Sequence, residues 1–327
     1  MPIYALAWGV FLAGILQLLI QVLPLWQINR LPVPKMNMSN PGVKKFFKLI
    51  LPAILAGGII QINLLVDTIF ASFLETGSPT WLYVSDRLIQ FPMGIFAIAI
   101  GTVLLPTLSK YDVDVEKDKF INAIQNGQRF VLFIGIPCLI GLFFCAEDLI
   151  STIFYRGAFS DIDVINSSYS LMIFSFGLPF FMLMKVLTPA FFARKDTKTP
   201  MYVALISLLL NATFNYYFAF VLDYGHVGIA IGSSLAATIS VFILEISLYK
   251  NGFIKVKNIF NIFNLNILLS SICLIIFLYF CTSYLDFMKL SQIERIFYLL
   301  LEVAVSIIIY FSVSRLILRK PFKLLFN

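Results

Sequence analysis

The sequence contains few charged residues and almost no histidine. Only 13% of its 327 residues are Asp, Glu, Lys or Arg, and His226 is the single histidine. Soluble domains carry about 25% charged residues, so a soluble globular protein is excluded. The chain is instead 60% apolar, with a mean hydropathy of +0.93. This composition predicts a polytopic membrane protein.

Cysteine is also scarce, and its spacing offers no recognisable site. The four cysteines contain no CxxC pair and have no histidine nearby; they are Cys138, Cys145, Cys273 and Cys281. Because each falls within or at the end of an apolar stretch, we expect small apolar packing residues. The absence of an acidic metal-binding pair in an aqueous loop also disfavours a membrane glycosyltransferase.

Apolar stretches of about 20 residues are long enough to cross a bilayer as helices. The strands of a membrane barrel would be shorter and would alternate polar with apolar residues, which these stretches do not. The sequence therefore predicts an all-α protein with nine transmembrane helices, at about 3–28, 46–74, 81–108, 127–145, 165–191, 199–221, 226–249, 262–285 and 293–318.

The basic residues fix a predicted orientation. The net charge of +7 might suggest nucleic acid, but most of the 24 Lys and Arg residues cluster in alternate loops and in the C-terminal tail. By the positive-inside rule these segments are cytoplasmic, and the loops near 75–80, 146–164, 222–226 and 286–292 face outward. Nine spans would then start outside, so we expect an odd number of helices upstream; an N-out protein is the alternative.

Breaks in the pattern divide the chain into three parts. Residues 29–45 contain three prolines and no helical period, which is typical of a linker. A second basic, Gly-marked break follows near 250–258. The predicted parts are 1–45, with one helix and the linker; 46–250, with six helices; and 251–327, with the last two helices and a basic tail. We also expect a short interfacial helix at the start of loop 146–164.

Arg87 lies inside a predicted span, where charged side chains are rare and mark functional sites by default. Its guanidinium suits a phosphate because its donors form a planar fork. Ser85, Tyr83 and Gln90 would add neutral donors. The alternative is structural: Arg87 snorkels outward, or pairs with Asp67, which the short turn at 75–80 brings to the same depth.

A second polar cluster offers only oxygen ligands. Asp67, Asn211, Asn215 and Ser233 lie on three predicted helices, and such a set suits either a hard monovalent cation or hydrogen bonds between helices. Glu302 lies deep in the final pair of helices. We expect it to pair with Arg295 or with a neighbouring helix and assign it no further role.

Together these residues carry a resemblance to the MurJ (MviN) family of lipid II flippases, within the MATE/MOP type of exporters. Several segments carry the match in chain order: Pro41-Gly-Val-Lys-Lys, Gln61-Ile-Asn-Leu-Leu-Val-Asp67-Thr, Ser85-Asp-Arg87-Leu-Ile-Gln-Phe-Pro-Met-Gly94, Leu105-Pro-Thr-Leu-Ser109, Tyr155-Arg-Gly-Ala-Phe159 and Ala193-Arg-Lys-Asp-Thr-Lys-Thr-Pro200.

The resemblance implies a fourteen-helix fold with two six-helix lobes in a V and two additional helices. This chain resembles the sixth helix, the second lobe and the final pair, so five helices and most of the first lobe would be missing. The implied activity is transport, without bond making, of the undecaprenyl-pyrophosphate-linked peptidoglycan precursor across the bacterial inner membrane by alternating access. Membrane lipids are the other expected partners, and nucleic acid is not expected.

The resemblance also implies residue roles. Arg87 matches the cavity arginine that engages the pyrophosphate together with arginines of the first lobe. Gln90 departs from the family, where Glu is frequent. Asp67, Asn211, Asn215 and Ser233 match a sodium site, so coupling to Na⁺ or to the membrane potential is expected, with no other cofactor. The last two helices would line a groove for the lipid tail. A flippase for another polyprenyl-linked saccharide and a non-transporting scaffold or degenerate fragment remain alternatives.

Overall fold

The computed structural model describes residues 2–28, 41–112, 115–254, 262–284 and 287–318, and these parts are helices joined by short turns and connections. Its α-helices are α1 (Pro2–Gln27), α2 (Pro41–Ser72), α3 (Ser78–Pro92), α4 (Ala99–Lys110), α5 (Lys117–Phe144), α6 (Ala146–Phe154), α7 (Asp161–Ala193), α8 (Lys198–Tyr216), α9 (Gly225–Lys250), α10 (Ile262–Tyr284) and α11 (Gln292–Leu318).

The predicted all-α membrane architecture is confirmed. Within the described ranges, nine helical stretches are long and apolar enough to span a bilayer, one for each predicted span. The largest difference in bounds is at α5, which begins at Lys117 rather than near 127. The first turns of α5 are polar. Because hydropathy detects only the apolar part of a helix, it does not predict a polar extension of this kind.

The third span changes its winding at Pro92. Helix α3 ends there, a π-helical segment follows over Met93–Ile98, and α4 completes the span. Proline cannot donate a backbone hydrogen bond and crowds the preceding turn, so a wider local winding is a physically reasonable response. A second π-helical segment, Tyr217–Val221, extends α8. Single π-helical turns are frequent at functional sites.

The short helix expected in loop 146–164 is present as α6. Helix α7 then begins with a capping box: the backbone N–H of Ser160 donates to the Asp163 carboxylate at 2.7 Å, while the Asp163 N–H donates to the Ser160 hydroxyl at 3.4 Å. This reciprocal arrangement satisfies backbone donors that a helix start leaves open. It fixes the N-terminal end of the central helix of the lobe.

The chain divides into two compact units, Met1–Lys48 and Leu49–Asn327. In the first, α1 exposes large apolar side chains such as Trp8 and Phe11, as a helix surrounded by lipid would. Residues 29–40 of the predicted linker lie outside the described residues. In the second unit, α7 and α9 pack side by side at the centre, with α5, α3 and α8 around them.

The core of the second unit comes mainly from α7 and α9. Its fully buried side chains include Leu171, Leu178, Met182 and Ile229. The last two helices pack against each other and against α5. Tyr310 of α11 donates its hydroxyl proton to the Phe133 carbonyl of α5 at 2.8 Å. The C-terminal pair is therefore attached to the six-helix lobe through α5.

Candidate functional site

Arg87 lies on the exposed face of α3, within a membrane span. Its guanidinium carbon is 4.6 Å from the centre of the Tyr83 ring, one turn earlier on the same helix. Among the residues the structure describes, none forms an ion pair or a hydrogen bond with this guanidinium. A cation held over an aromatic face keeps its donor fork available to an anion.

The neighbours predicted for Arg87 divide between two faces. Tyr83 is 57% exposed and shares the face of Arg87. Gln90 is half-buried, and its amide donates to the Asp86 carboxylate on the same helix. Ser85 is fully buried on the opposite side. In this conformation, Tyr83 and Arg87 lie together and Ser85 is separate from them.

Ser85 connects α3 to α7. Its hydroxyl oxygen is 2.8 Å from the Trp81 carbonyl oxygen and 2.7 Å from that of Ser167, so its one proton is shared between two acceptors. The Trp81 indole N–H donates to the Asp163 carboxylate of α7 at 2.7 Å. These contacts fix the rotation of α3 and hold its Arg87 face away from the core.

The predicted oxygen cluster is assembled as expected from three helices. The Asn215 amide donates to one oxygen of the Asp67 carboxylate at 2.6 Å, and the Ser233 hydroxyl donates to the other at 3.2 Å. The Asn211 amide donates to the Ser233 oxygen at 2.9 Å. The four residues therefore form one connected network across α2, α8 and α9.

The donor chemistry of this cluster fits a hard cation. The side chains present carboxylate, amide and hydroxyl oxygens, the ligand types that such ions prefer. The side-chain oxygen of Asn215 is buried and has no hydrogen-bond partner among the described residues. An unpartnered buried carbonyl oxygen is costly, and a cation would satisfy it. The same cluster also serves as a helix-to-helix hydrogen-bond network.

Asp67 and Arg87 do not pair, although they were predicted to lie at one depth. The Asp67 carboxylate binds Asn215 and Ser233, while the guanidinium rests on Tyr83. Asp86 is close enough to Asp67 for their charges to interact, which agrees with a similar depth. The ion-pair alternative for Arg87 is therefore wrong in this conformation, because amide and hydroxyl donors occupy its intended partner.

Of the two alternatives for Glu302, pairing with Arg295 is wrong, and contact with a neighbouring helix is confirmed. Arg295 donates to the backbone carbonyls of Phe287 at 2.7 Å and Met288 at 2.8 Å, and its guanidinium lies over the Tyr155 ring. Glu302 instead lies beside Cys145 and a further acid. The sequence could not predict this cluster from a local motif, because Cys145 and Glu302 are far apart in the chain.

Solved transporter structures share this helical arrangement. An outward-facing multidrug resistance MATE family transporter of the MOP superfamily superposes with a TM-score of 0.57, at 15% identity over 72% of this chain and 54% of that chain. A likeness at this identity concerns the fold alone. Together with the nine candidate spans, this likeness defines the class of fold: a polytopic membrane protein with the helical arrangement of the MATE/MOP fold.

Closer matches identify the family. The family described as lipid II flippase MurJ matches residues 1–298. A structure of lipid II flippase MurJ in an inward closed conformation superposes with a TM-score of 0.69, at 28% identity over 90% of this chain and 58% of that chain. The chain belongs to the MurJ family of lipid II flippases.

Curated relatives agree with this assignment. A probable lipid II flippase MurJ of Vibrio cholerae serotype O1 is 44% identical over 251 residues, which cover 77% of this chain and 47% of the relative. A probable lipid II flippase MurJ of Haemophilus influenzae is 38% identical over 316 residues, covering 94% of this chain and 61% of the relative. The chain thus spans about half to three-fifths of the length of these relatives.

We predict that Asp67 and Asn215 are energetically coupled. Asp67→Ala, Asn215→Ala and the double variant should give a coupling free energy of about 1.5–3 kcal/mol, because the bond joins an amide donor to a charged acceptor. The measurement is equilibrium unfolding in mixed micelles, in choline buffer without sodium.

The matched control pairs Asp67→Ala with Thr213→Ala, because the exposed Thr213 hydroxyl bonds only to Leu209 of its own helix. That cycle should be additive to within about 0.5 kcal/mol. Additivity in the Asp67–Asn215 cycle as well would contradict the network.

Proposed function

We propose that this chain forms the second lobe and the C-terminal helix pair of a lipid II flippase. The complete transporter moves the undecaprenyl-pyrophosphate-linked disaccharide-peptide to the outer leaflet for peptidoglycan synthesis and cell wall biogenesis. It does so by alternating access and makes or breaks no bond. The observation that carries the proposal is Arg87, an exposed intramembrane cation that forms no salt bridge with any described residue, on the fold of the MurJ family.

Arg87 binds the pyrophosphate of the precursor in this proposal. Its fork of N–H donors matches two phosphate oxygens at once, and water exclusion within a membrane cavity strengthens each contact. Tyr83 keeps the guanidinium on its ring until the anion arrives. Gln90 can contribute its amide once it leaves Asp86. Ser85 acts indirectly, because its bond to α7 sets the direction in which α3 presents Arg87.

Transport also requires the part of the family fold that this chain does not span. This chain covers only 47% and 61% of the length of two curated relatives, which supports the need for further helices. A single arginine neutralises only part of a pyrophosphate's charge, so further cations from a facing lobe are needed to hold the head group. Membrane lipids surround the exposed apolar surface, and the lipid tail remains in that environment.

We predict that Arg87→Ala abolishes transport. The test is growth of cells depleted of their own lipid II flippase and supplied with a fusion of this chain to the first lobe of the Vibrio cholerae relative. Each lost charge-assisted hydrogen bond is worth about 1.5–3 kcal/mol, so losing the two bonds of a bidentate contact should lower substrate affinity about a hundredfold or more. Arg87→Lys should fail as well, because an ammonium cannot form the bidentate contact.

Arg315→Ala is the matched control, since Arg315 is an exposed arginine at the end of α11. It should support growth like the unchanged fusion. Normal growth with Arg87→Ala at equal membrane abundance would contradict the assigned role. Rescue by Lys at position 87 would keep a charge requirement and reject bidentate contact.

We further propose that Asp67, Asn211, Asn215 and Ser233 bind Na⁺ during the transport cycle. The unpartnered Asn215 oxygen and the ionisable Asp67 support a cation of this kind. Because the ligands come from α2, α8 and α9, an ion bound there would hold these helices together. Its release would allow them to move apart, which is how a sodium gradient could drive the lobe.

We predict that Na⁺ raises the thermal stability of the purified chain, whereas K⁺ and choline at equal concentration do not. At Na⁺ about a hundredfold above the dissociation constant, the stabilisation should be about 2.7 kcal/mol. Asp67→Asn should abolish it. Glu75→Gln, an exposed acid in the α2–α3 turn, should not. Equal responses to Na⁺ and K⁺ would reject the sodium site and favour the membrane potential as the driving force.

The proposed location is the bacterial inner membrane, with the C-terminus in the cytoplasm. The clustering of basic residues in alternate loops supports this orientation. It places the α5–α6 connection and α6 on the outer side, and the α4–α5 connection inside.

The orientation predicts opposite behaviour of two reporter fusions. Green fluorescent protein joined after Asn327 should fluoresce, because that protein folds in the cytoplasm. Alkaline phosphatase joined after Gly157 should be active, because that enzyme needs the outer side of the membrane. Phosphatase activity at Asn327 together with inactivity at Gly157 would reverse the proposed topology.

A further inference from the structure

A second cluster of ionisable side chains lies where the C-terminal helix pair meets the lobe. Cys145 is at the junction of α5 and α6, Asp148 is in the first turn of α6, and Glu302 is on α11. Their ligand atoms, the Cys145 sulfur and one carboxylate oxygen each, all lie within 4.8 Å of one another. The three residues are only 4%, 5% and 6% exposed.

This cluster has no internal counter-charge. Among the described residues, the Glu302 carboxylate is buried with no donor other than the neighbouring Cys145 thiol, and one oxygen of the Asp148 carboxylate is buried without a hydrogen-bond partner. Arg295, which begins the same helix as Glu302, donates to the backbone carbonyls of Phe287 and Met288 instead. Two buried acids and a thiol at this distance can remain only by keeping their protons or by sharing a cation.

The pKa values of Asp148 and Cys145, which lie outside the membrane spans, are consistent with a cluster that keeps its protons or binds a cation. Burial, followed by the neighbouring Glu302, raises the pKa of Asp148 to about 8. Burial also raises the pKa of the Cys145 thiol well above its ordinary value. Burial therefore disfavours the charged form of both groups when no cation is bound.

We propose that Cys145, Asp148 and Glu302 form a binding site for a zinc-type divalent transition-metal ion that holds α11 against the junction of α5 and α6. The site lies apart from Arg87 and from the Asp67 network, and it does not depend on the proposed transport activity.

The ligand set selects the class of metal. A thiolate together with two carboxylates suits Zn²⁺ and similar ions, whereas Ca²⁺ and Mg²⁺ prefer oxygen ligands only. Zinc bonds of about 2.0–2.3 Å require the three ligand atoms to move together by roughly 1 Å. Side-chain rotation about Glu302 and Asp148 supplies such a movement without displacing a helix.

Charge and access are compatible with the ion. Binding releases the thiol proton and any carboxyl proton to solvent, which leaves one net negative charge on the site. The N-terminus of α6 favours a negative charge near Asp148. A cavity of about 460 Å³ reaches Asp148 and is lined also by Glu147, Thr282 and Ser283, so the cluster can be approached from the Asp148 side.

Metal binding would have a structural consequence. Cys145 and Asp148 belong to the lobe, whereas Glu302 belongs to the C-terminal pair. An ion shared between them closes a long loop of chain, and such links stabilise by limiting the freedom of the unfolded chain. The ion would therefore hold α11 in place while other helices move.

The first experiment measures metal binding to the full chain in detergent, without a histidine tag and after removal of metals by a chelator. ZnCl₂ is titrated against a chromophoric zinc chelator, and we expect one tight equivalent per chain. CoCl₂ should give the sulfur-to-cobalt charge-transfer absorption typical of a thiolate ligand. CaCl₂ should not compete with Zn²⁺.

Variants separate this site from other metal-binding groups. Cys145→Ala and Glu302→Gln should each weaken Zn²⁺ binding at least about tenfold, and Cys145→Ala should abolish the cobalt charge-transfer band. Cys138→Ala on the same helix as Cys145, and Glu294→Gln on the same helix as Glu302, are the matched controls. Both should bind Zn²⁺ like the unchanged chain.

Thermal unfolding tests the site even if the Cys145→Ala variant does not fold. Zn²⁺ should raise the unfolding temperature of the unchanged chain and leave that of Glu302→Gln unaffected. Without metal, Glu302→Gln should be at least as stable as the unchanged chain, because it removes an unpartnered buried acid. Absence of saturable Zn²⁺ binding would overturn the proposal. So would a Zn²⁺ affinity of Cys145→Ala and Glu302→Gln equal to that of the unchanged chain.

Discussion

The structure depends on one constraint: within a bilayer, polar groups must find their partners inside the protein. The helices satisfy their own backbones, and the remaining polar side chains join helices in pairs. Gln128 of α5 donates to Glu245 of α9 at 2.8 Å, and Asn266 of α10 donates to Ser314 of α11 at 2.9 Å. Each such bond fixes how a helix is rotated about its axis. Apolar packing alone would specify that rotation less well.

The same constraint makes the exceptions informative. Among the described residues, Arg87 rests on Tyr83 without a salt bridge, the Asn215 oxygen has no donor, and the Glu302 carboxylate has no donor other than the Cys145 thiol. Because an unpaired polar group is costly within a bilayer, each of these groups marks a place where a ligand can bind. The three sites differ in the ligand that they can bind. The Arg87 guanidinium can bind an anion, the oxygens around Asn215 can bind a hard cation, and the thiol and acids beside Glu302 can bind a softer metal ion.

Much of the fold was predictable because the membrane signal is local. Nine apolar stretches, the short helix α6 and the intramembrane position of Arg87 all follow from composition and length. The members of the Asp67 cluster were predictable too, since polar residues in spans are few. The partners of Arg87 and Glu302 were not, because an ion pair depends on side-chain direction and distance across helices, which residue depth does not specify.

The sequence by itself determined the membrane environment, the number of spans and the membership of the MurJ family, because hydropathy and motif residues are properties of short segments. Only the tertiary structure decided which polar groups meet. It turned Ser85 toward α7, gave Asp67 to Asn215 instead of Arg87, and brought Cys145 beside Glu302. The physical reason is that helix rotation and packing, set by contacts among distant segments, select each partner.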